Sequence, residues 1–526
     1  MIRPLRLFAL LALCSLGLSA FADEHPNPEE GEKKPDTEKK ENAGHPEKKP
    51  EEKAEKPKEE KPKESKGSVT IAGQEVKYVA KTGTLPLLKE DGSGEKATVF
   101  FIYYSAVGAD GKPLATADAA KRPITFCFNG GPGASASWLN FGGLGPRKVE
   151  VDPQGLQDHP HAPVVSNPNS ILDVTDLVFI DPVGTGASRP AKGEKGEQFW
   201  SVNGDIESVG EFIRLFTTRE QRWESPKYLC GESYGGIRGS GLCEYLQSHD
   251  GLYLDGFICI SGVINFENIN NDFAGALCYL PSYTATAHFH GKLPPDLQAD
   301  REKAIAESRA FARSEYALAL IKGTALPAAD RTRIAEKLAR LTGLDRDLIE
   351  RSHLVITPSL FFSNLLRKEG KIIGRFDGRV TSEGYDRLNN HPEFDPSFTN
   401  ILGSFSSAAN ATIRGELGYD WDLPYRVLGG LNWSFREFEG EAVNLEDRLA
   451  SALKTNPKLR VLFCLGLRDL AVPMDSTLLS IDHLHIPANL HANLTVQYYE
   501  SGHMMYLNLP DAEKLRRDIV AFINAK

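Results

Sequence analysis

Five short apolar runs end in loops rich in glycine or acid: "ITFCFNGG", "LVFID", "YLCGESYGG", "GFICISG" and "VLFCLGLRD". Runs of this length suit strands buried on both faces of a parallel sheet. Helical patterns lie between them. "DIESVGEFIRLFTTRE" puts Ile206, Val209, Phe212, Ile213 and Phe216 on one stripe, with Asp205 as the expected N-cap. Strands alternating with helices predict an α/β fold.

The alternation has a beginning, a gap and an end. "SVTIAG", "EVKYVA" and "ATVFFIYYSA" read as strands before it. After Val263 the pattern turns mostly helical, as in "DREKAIAESRAFARSEYALALIKG", and a lid inserted on the sheet is expected. The sheet resumes at "RVLFCLG" and "NLTVQYYES" and closes with the helix "DAEKLRRDIVAFINAK". The expected organisation is a leader over 1–22, a linker over 23–66, a first core part over 67–266, a helical lid over 267–422 and a second core part over 423–526.

The leader follows from Arg3 and Arg6, the apolar run Leu7 to Leu18, and the small-x-small site Ala20-Phe21-Ala22. The run is short for a bilayer span, so export with no stable membrane insertion after cleavage is expected. Asp23 to Ser65 is Glu, Lys and Pro without aromatic, Leu, Ile or Val, which predicts a disordered tether. The formal charge of −10 counts against nucleic acid as partner. Cys127, Cys230 and Cys464 lie inside apolar runs and read as buried small hydrophobes. No CxxC pair or zinc spacing occurs. The pairs His288/His290 and His483/His485 read as loop residues rather than metal ligands.

The chemistry centres on Gly231-Glu232-Ser233-Tyr234-Gly235. It fits G-x-S-x-G, a strained strand-to-helix turn that presents a nucleophilic Ser. A Ser hydroxyl needs a base, and the base needs an orienting acid. Asp469 follows "VLFCLGLR" and His503 follows "LTVQYYESG", both at predicted strand ends on the elbow's edge. "FNGGPGASAS" follows an upstream strand, where its glycines let backbone N–H groups approach a developing oxyanion.

Asn129-Gly130-Gly131-Pro132-Gly133, "DPVGTGASRP", "CGESYGG", "GLRDLAVP" and "SGHMMYL" come in one order from Ile124 onward. In that order and spacing the chain resembles the serine carboxypeptidase family of the α/β-hydrolase superfamily, in a secreted member of bacterial type. The resemblance implies an α/β-hydrolase core with a helical lid and no cofactor. It implies a triad of Ser233, Asp469 and His503, with oxyanion donors from the backbone N–H groups of Gly131 and Tyr234. It also implies that Asn129 and Glu232 hold the terminal carboxylate of a peptide or protein substrate. Two features depart from the family. Ala134 and Ser135 stand where many members have a disulfide Cys and a Ser. Gly142 and Gly143 precede Leu144-Gly145-Pro146, where plant and yeast relatives carry an acid that assists carboxylate binding. Arg147 lies just beyond as a candidate charge. The expected activity is a carboxypeptidase; an esterase or acyltransferase on the same fold, or a non-catalytic secreted scaffold, are the alternatives.

Overall fold

The computed structural model describes residues 61–108, 110–156, 160–384 and 391–525. The expected leader, and the linker up to residue 60, lie outside the described residues. Nine strands form the spine of one sheet. In chain order they are β1 Lys63–Ile71, β2 Gln74–Leu88, β3 Glu95–Ala106, β4 Ile124–Phe128, β5 Asp176–Ile180, β6 Lys227–Glu232, β7 Gly256–Ile260, β8 Arg460–Gly466 and β9 Leu494–Tyr499. Their order in space is β1-β2-β3-β5-β4-β6-β7-β8-β9. The first three pair antiparallel, and β3 meets β5 antiparallel. From β5 to β9 every pairing is parallel. The inverted order of β4 and β5, the parallel run and the flanking helices make this an α/β-hydrolase fold.

Strand β1 corrects the sequence reading. The linker was expected to run to residue 66, yet Lys63 to Lys66 already pair with Val79 to Thr82. The ladder is made by peptide groups and needs no apolar side chains. Lys63, Glu64 and Lys66 are exposed on an edge strand, where charge discourages pairing with another chain.

The parallel strands are apolar because both faces are covered. Phe126, Leu229, Phe257 and Phe463 join one core cluster. Cys127, Cys230, Ile258 and Cys464 join the cluster on the opposite face. Each fully buried large apolar side chain stabilises by roughly 1.5–3 kcal/mol. The six described cysteines are all buried and unpaired.

Helix α1, Val202–Arg219, covers the first face with Ile206, Val209, Phe212, Ile213 and Phe216, the predicted stripe. Its cap is Ser201, whose side chain accepts from the Gly204 N–H. Asp205, expected there, is inside the helix and buried. The helix starts earlier than predicted because Val202 joins the core, which frees Asp205 for an ion pair described below. Helix α2, Gly235–His249, packs beside α1. The last helix, Leu509–Asn524, covers the other face with Leu515, Ile519 and Phe522.

Between β7 and β8 the chain is mostly helical, from Glu267–Asn270 to Pro396–Ala411, with one short hairpin of Lys371–Ile373 and Thr381–Glu383. This stretch has its own apolar cluster, including Tyr279, Tyr283, Leu338 and Phe361, and Leu470 from the core enters it. His288 and His290 are here. Their Nε2 atoms face the carbonyls of Gln298 and Gly378 at 3.0 and 2.7 Å.

Candidate active site

The turn from β6 into α2 is built around Ser233, which has φ +62°. That left-handed conformation is rare for a residue with a side chain and marks stored strain. It is held by three backbone bonds. The Ser233 N–H donates to Ile260 O at 3.1 Å, and its carbonyl accepts from Gly236 and Val263 at 2.8 and 3.2 Å. The flanking glycines let other backbone pass. A Cβ on Gly231 would lie 2.4 Å from Gly235 O, and one on Gly236 would lie 2.4 Å from Val263 O. Glu232 and Tyr234 are buried, whereas Ser233 remains partly accessible.

Asp469 and His503 lie beyond the C-terminal ends of β8 and β9, which run parallel to β6 through β7. All three residues therefore stand on one edge of the sheet. His503 Nδ1 is 2.7 Å from Asp469 Oδ2, with both side chains buried. Asp469 Oδ1 accepts from the N–H groups of Ala471 and Val472, each at 2.8 Å. With both carboxylate oxygens engaged, the acid is fixed. A neutral ring bonded this way carries its proton on Nδ1 and leaves Nε2 as a base. Burial lowers the His503 pKa, but the charge and hydrogen bond of Asp469, aided by Glu232, outweigh it and leave the pKa raised.

A segment the sequence reading missed fixes this pair from the helical side. The Phe376 ring stacks on His503 with centroids 5.1 Å apart and planes 17° from parallel. The His503 N–H donates to Phe376 O at 2.6 Å. Leu470 N–H donates to Arg375 O at 3.1 Å, and Gly378 N–H donates to Arg468 O at 3.0 Å. One short stretch thus ties both loops together. Nothing in "GRFDGRV" announces this. The available signal was Gly502, where a Cβ would lie 2.1 Å from Phe376 O.

The Asn129–Gly133 loop follows β4 and lies against the elbow. A Cβ on Gly130 would sit 2.4 Å from Tyr234 N and 2.7 Å from Glu232 O. The N–H groups of Gly131 and Tyr234 have no hydrogen-bond partner among the described residues, and Gly131 is exposed. Arg238 of α2 braces the loop. It pairs with Asp205 at 2.7 Å and donates to Asn129 O at 2.6 Å, while its guanidinium lies over Phe128 and Tyr234. Gly130→Ala should push the loop off the elbow and lower kcat about a hundredfold, the scale of a misplacement near 1 Å. A wild-type kcat in that variant would detach the loop from the reaction.

Asn129 and Glu232 meet in a buried polar group that includes Tyr506, which the sequence reading did not single out. The Tyr506 hydroxyl donates to Glu232 Oε2 at 2.8 Å. Asn129 Oδ1 accepts from the Leu139 N–H at 3.0 Å, which leaves its amide N–H groups for other partners. Burial pushes the Glu232 pKa up to about 7, against the lowering effects of His503, Tyr506 and Asn129. Arg147, the candidate extra charge, is engaged elsewhere. It binds both carboxylate oxygens of Glu416 at 2.8 and 3.0 Å.

Residues 91–306 match the family model described as serine carboxypeptidase. Over these residues the chain is similar to the serine carboxypeptidase family. Asn129, Glu232 and Ser233 fall inside the matched stretch, and Asp469 and His503 fall beyond it. Serine carboxypeptidase-like 50 of Arabidopsis thaliana is 25% identical over 271 residues, 50% of this chain and 52% of that protein. The chain thus spans about half the length of the curated relative it matches. Among solved structures, proline iminopeptidase of Mycobacterium smegmatis aligns at 14% identity and TM-score 0.33, covering 87% of this chain and 97% of that one. A thermophilic esterase from Thermogutta terrifontis aligns at 11% identity and TM-score 0.34, covering 84% of this chain and all of the other.

Proposed function

We propose that the protein is an exported serine-type carboxypeptidase that removes C-terminal residues of peptides through an acyl-enzyme. The observation that carries this reading is the 2.7 Å His503–Asp469 pair on the sheet edge that also bears the strained Ser233. Ser233 is the nucleophile. His503 takes its proton and returns it to the departing amine, and Asp469 orients the ring and stabilises its charged form. The free N–H groups of Gly131 and Tyr234 receive the oxyanion. Asn129 and Glu232 receive the terminal carboxylate of the substrate. The helical stretch 267–422 acts as a lid over this edge. Export rests on the leader read in residues 1–22. Labelling by a fluorophosphonate tests the nucleophile, and a scaffold without activity would resist it. An esterase or acyltransferase remains the second reading because no acid stands at Gly142 or Gly143. Comparison of a peptide with a free C-terminus and its amide separates the two.

Glu232 gives this reading a pH dependence with a definite sign. Below about 7 the group is mostly protonated and donates to the substrate carboxylate. Above that it is an anion facing an anion. KM for free peptides should therefore rise as pH passes upward through 7. Ester substrates without a carboxylate should show no such rise. Glu232→Gln keeps a donor and abolishes the titration, so its peptide KM should stay flat across that range. An identical rise in variant and wild type would remove Glu232 from carboxylate binding.

A further inference from the structure

Gly142 and Gly143 are buried under the ring of Tyr506. A Cβ on Gly142 would lie 2.5 Å from Tyr506 Cε2, and one on Gly143 would lie 3.0 Å from its Cγ. A side chain at either position would displace the ring. The two glycines thus make the space that lets the ring carry its hydroxyl to Glu232 Oε2, 2.8 Å away. Asn129 lies alongside both groups and favours their charged forms through hydrogen bonding. Tyr506 is 4% exposed, Glu232 4% and Asn129 2%, so the three form one buried polar cluster beside the elbow.

We infer that Tyr506 is a specificity-determining residue, the third member of the group that binds the α-carboxylate of the substrate. The inference rests on the carboxypeptidase reading and adds a residue to it. A phenol carries one donor and two acceptor positions. With Glu232 ionised, Tyr506 donates to it across the 2.8 Å contact. With Glu232 protonated, the phenol oxygen accepts that proton's hydrogen bond and its own O–H turns to the substrate carboxylate. Burial holds the phenol pKa well above its ordinary value, so the O–H persists as a donor across the working range. The carboxylate thereby meets one donor that titrates and one that does not. The absence of an acid at Gly142 and Gly143 then leaves no missing function, because the phenol occupies the space and supplies the donor.

The groups that act on Glu232 are His503, Tyr506, Asp469 and Asn129, and Cys230 lies on the same strand beneath it. Of these, His503 favours the ionised form by its charge, and Tyr506 and Asn129 do so by hydrogen bonding. Tyr506→Phe should therefore leave two marks. KM for a free-acid dipeptide at pH 6 should rise roughly tenfold or more, the scale of a hydrogen bond to a charged group. The pH at which that KM climbs should move upward, since ionised Glu232 loses a donor. The kcat and KM for a simple ester should stay within about twofold, as expected where the lost contact is to the carboxylate alone.

The experiment measures kcat and KM against pH for wild type and Tyr506→Phe. The substrates are an N-acyl dipeptide, its C-terminal amide and an ester. Gly143→Ala is the second variant. It keeps the hydroxyl but pushes the ring, and it should reproduce the free-acid defect while sparing the ester. Parallel losses on acid and ester, or an unmoved pH midpoint with unchanged KM, overturn the inference. If wild type prefers the acid over its amide and Tyr506→Phe does so equally, only the role of Tyr506 fails. If wild type treats acid and amide alike, the carboxypeptidase reading fails, and this inference with it.

Discussion

Ser233→Ala is expected to lower kcat by about 10⁴–10⁶, the usual effect of removing a nucleophile from a group that acts as a unit. The fold should survive. The strain at φ +62° belongs to the backbone and is carried by Ala much as by Ser. The three bonds that hold the turn come from main-chain N–H and carbonyl groups, which the substitution leaves in place. Melting temperature should therefore change by no more than a few degrees. Covalent labelling by a fluorophosphonate should vanish, because the substitution removes the hydroxyl that the reagent would modify. The informative measurement is kcat on purified variant at several pH values, against the uncatalysed rate. A residual rate above water is expected, since oxyanion donors and substrate binding remain. Activity near that of wild type would transfer the nucleophile's role away from Ser233.

The parallel sheet was legible because burial on both faces leaves a run of apolar residues without alternation, as in "ITFCF" and "GFICI". The elbow was legible because close backbone packing admits only glycine, and glycine is visible in a sequence. Asp469 and His503 were legible through position, each one loop beyond a strand. Three things were hidden. Lys63–Lys66 looked like linker, since composition reports side-chain burial and an edge strand needs only its peptide groups. Ser201 was passed over as the cap of α1 because Asp205 is equally suitable by type, and only the buried Arg238 decides where Asp205 is used. Tyr506 and Phe376 reach the site from elements separated by long stretches of chain. Tyr506 sits three residues past His503, and Phe376 lies far away in the helical stretch. The Tyr506 contact depends on its ring meeting Glu232, Gly142 and Gly143 from distant parts of the core, and the Phe376 contact on how the helical stretch packs on that core; no local pattern encodes either.

Asp469→Asn should cost about 10⁴ in kcat, and the reason lies in which oxygen does what. Oδ1 accepts from two backbone donors, the N–H groups of Ala471 and Val472. Oδ2 faces His503 Nδ1. An Asn has one oxygen for these two duties. If its NH₂ faced the backbone, three donors would converge without an acceptor in a buried site, which costs about 1–3 kcal/mol for each unsatisfied group. The oxygen therefore stays with the backbone and the NH₂ faces Nδ1. That forces Nδ1 to act as acceptor and places the imidazole proton on Nε2. The ring then has no lone pair to offer Ser233. The variant should fold normally, since the backbone pair keeps its acceptor. Its His503 pKa should fall, because burial remains while the carboxylate that opposed it is gone. Nitrogen NMR of the ring should report the proton moving from Nδ1 to Nε2 at a pH where the ring is neutral. A variant within tenfold of wild type, with the proton still on Nδ1, would show that something other than Asp469 orients the base. The stacked Phe376 would then be the residue to examine.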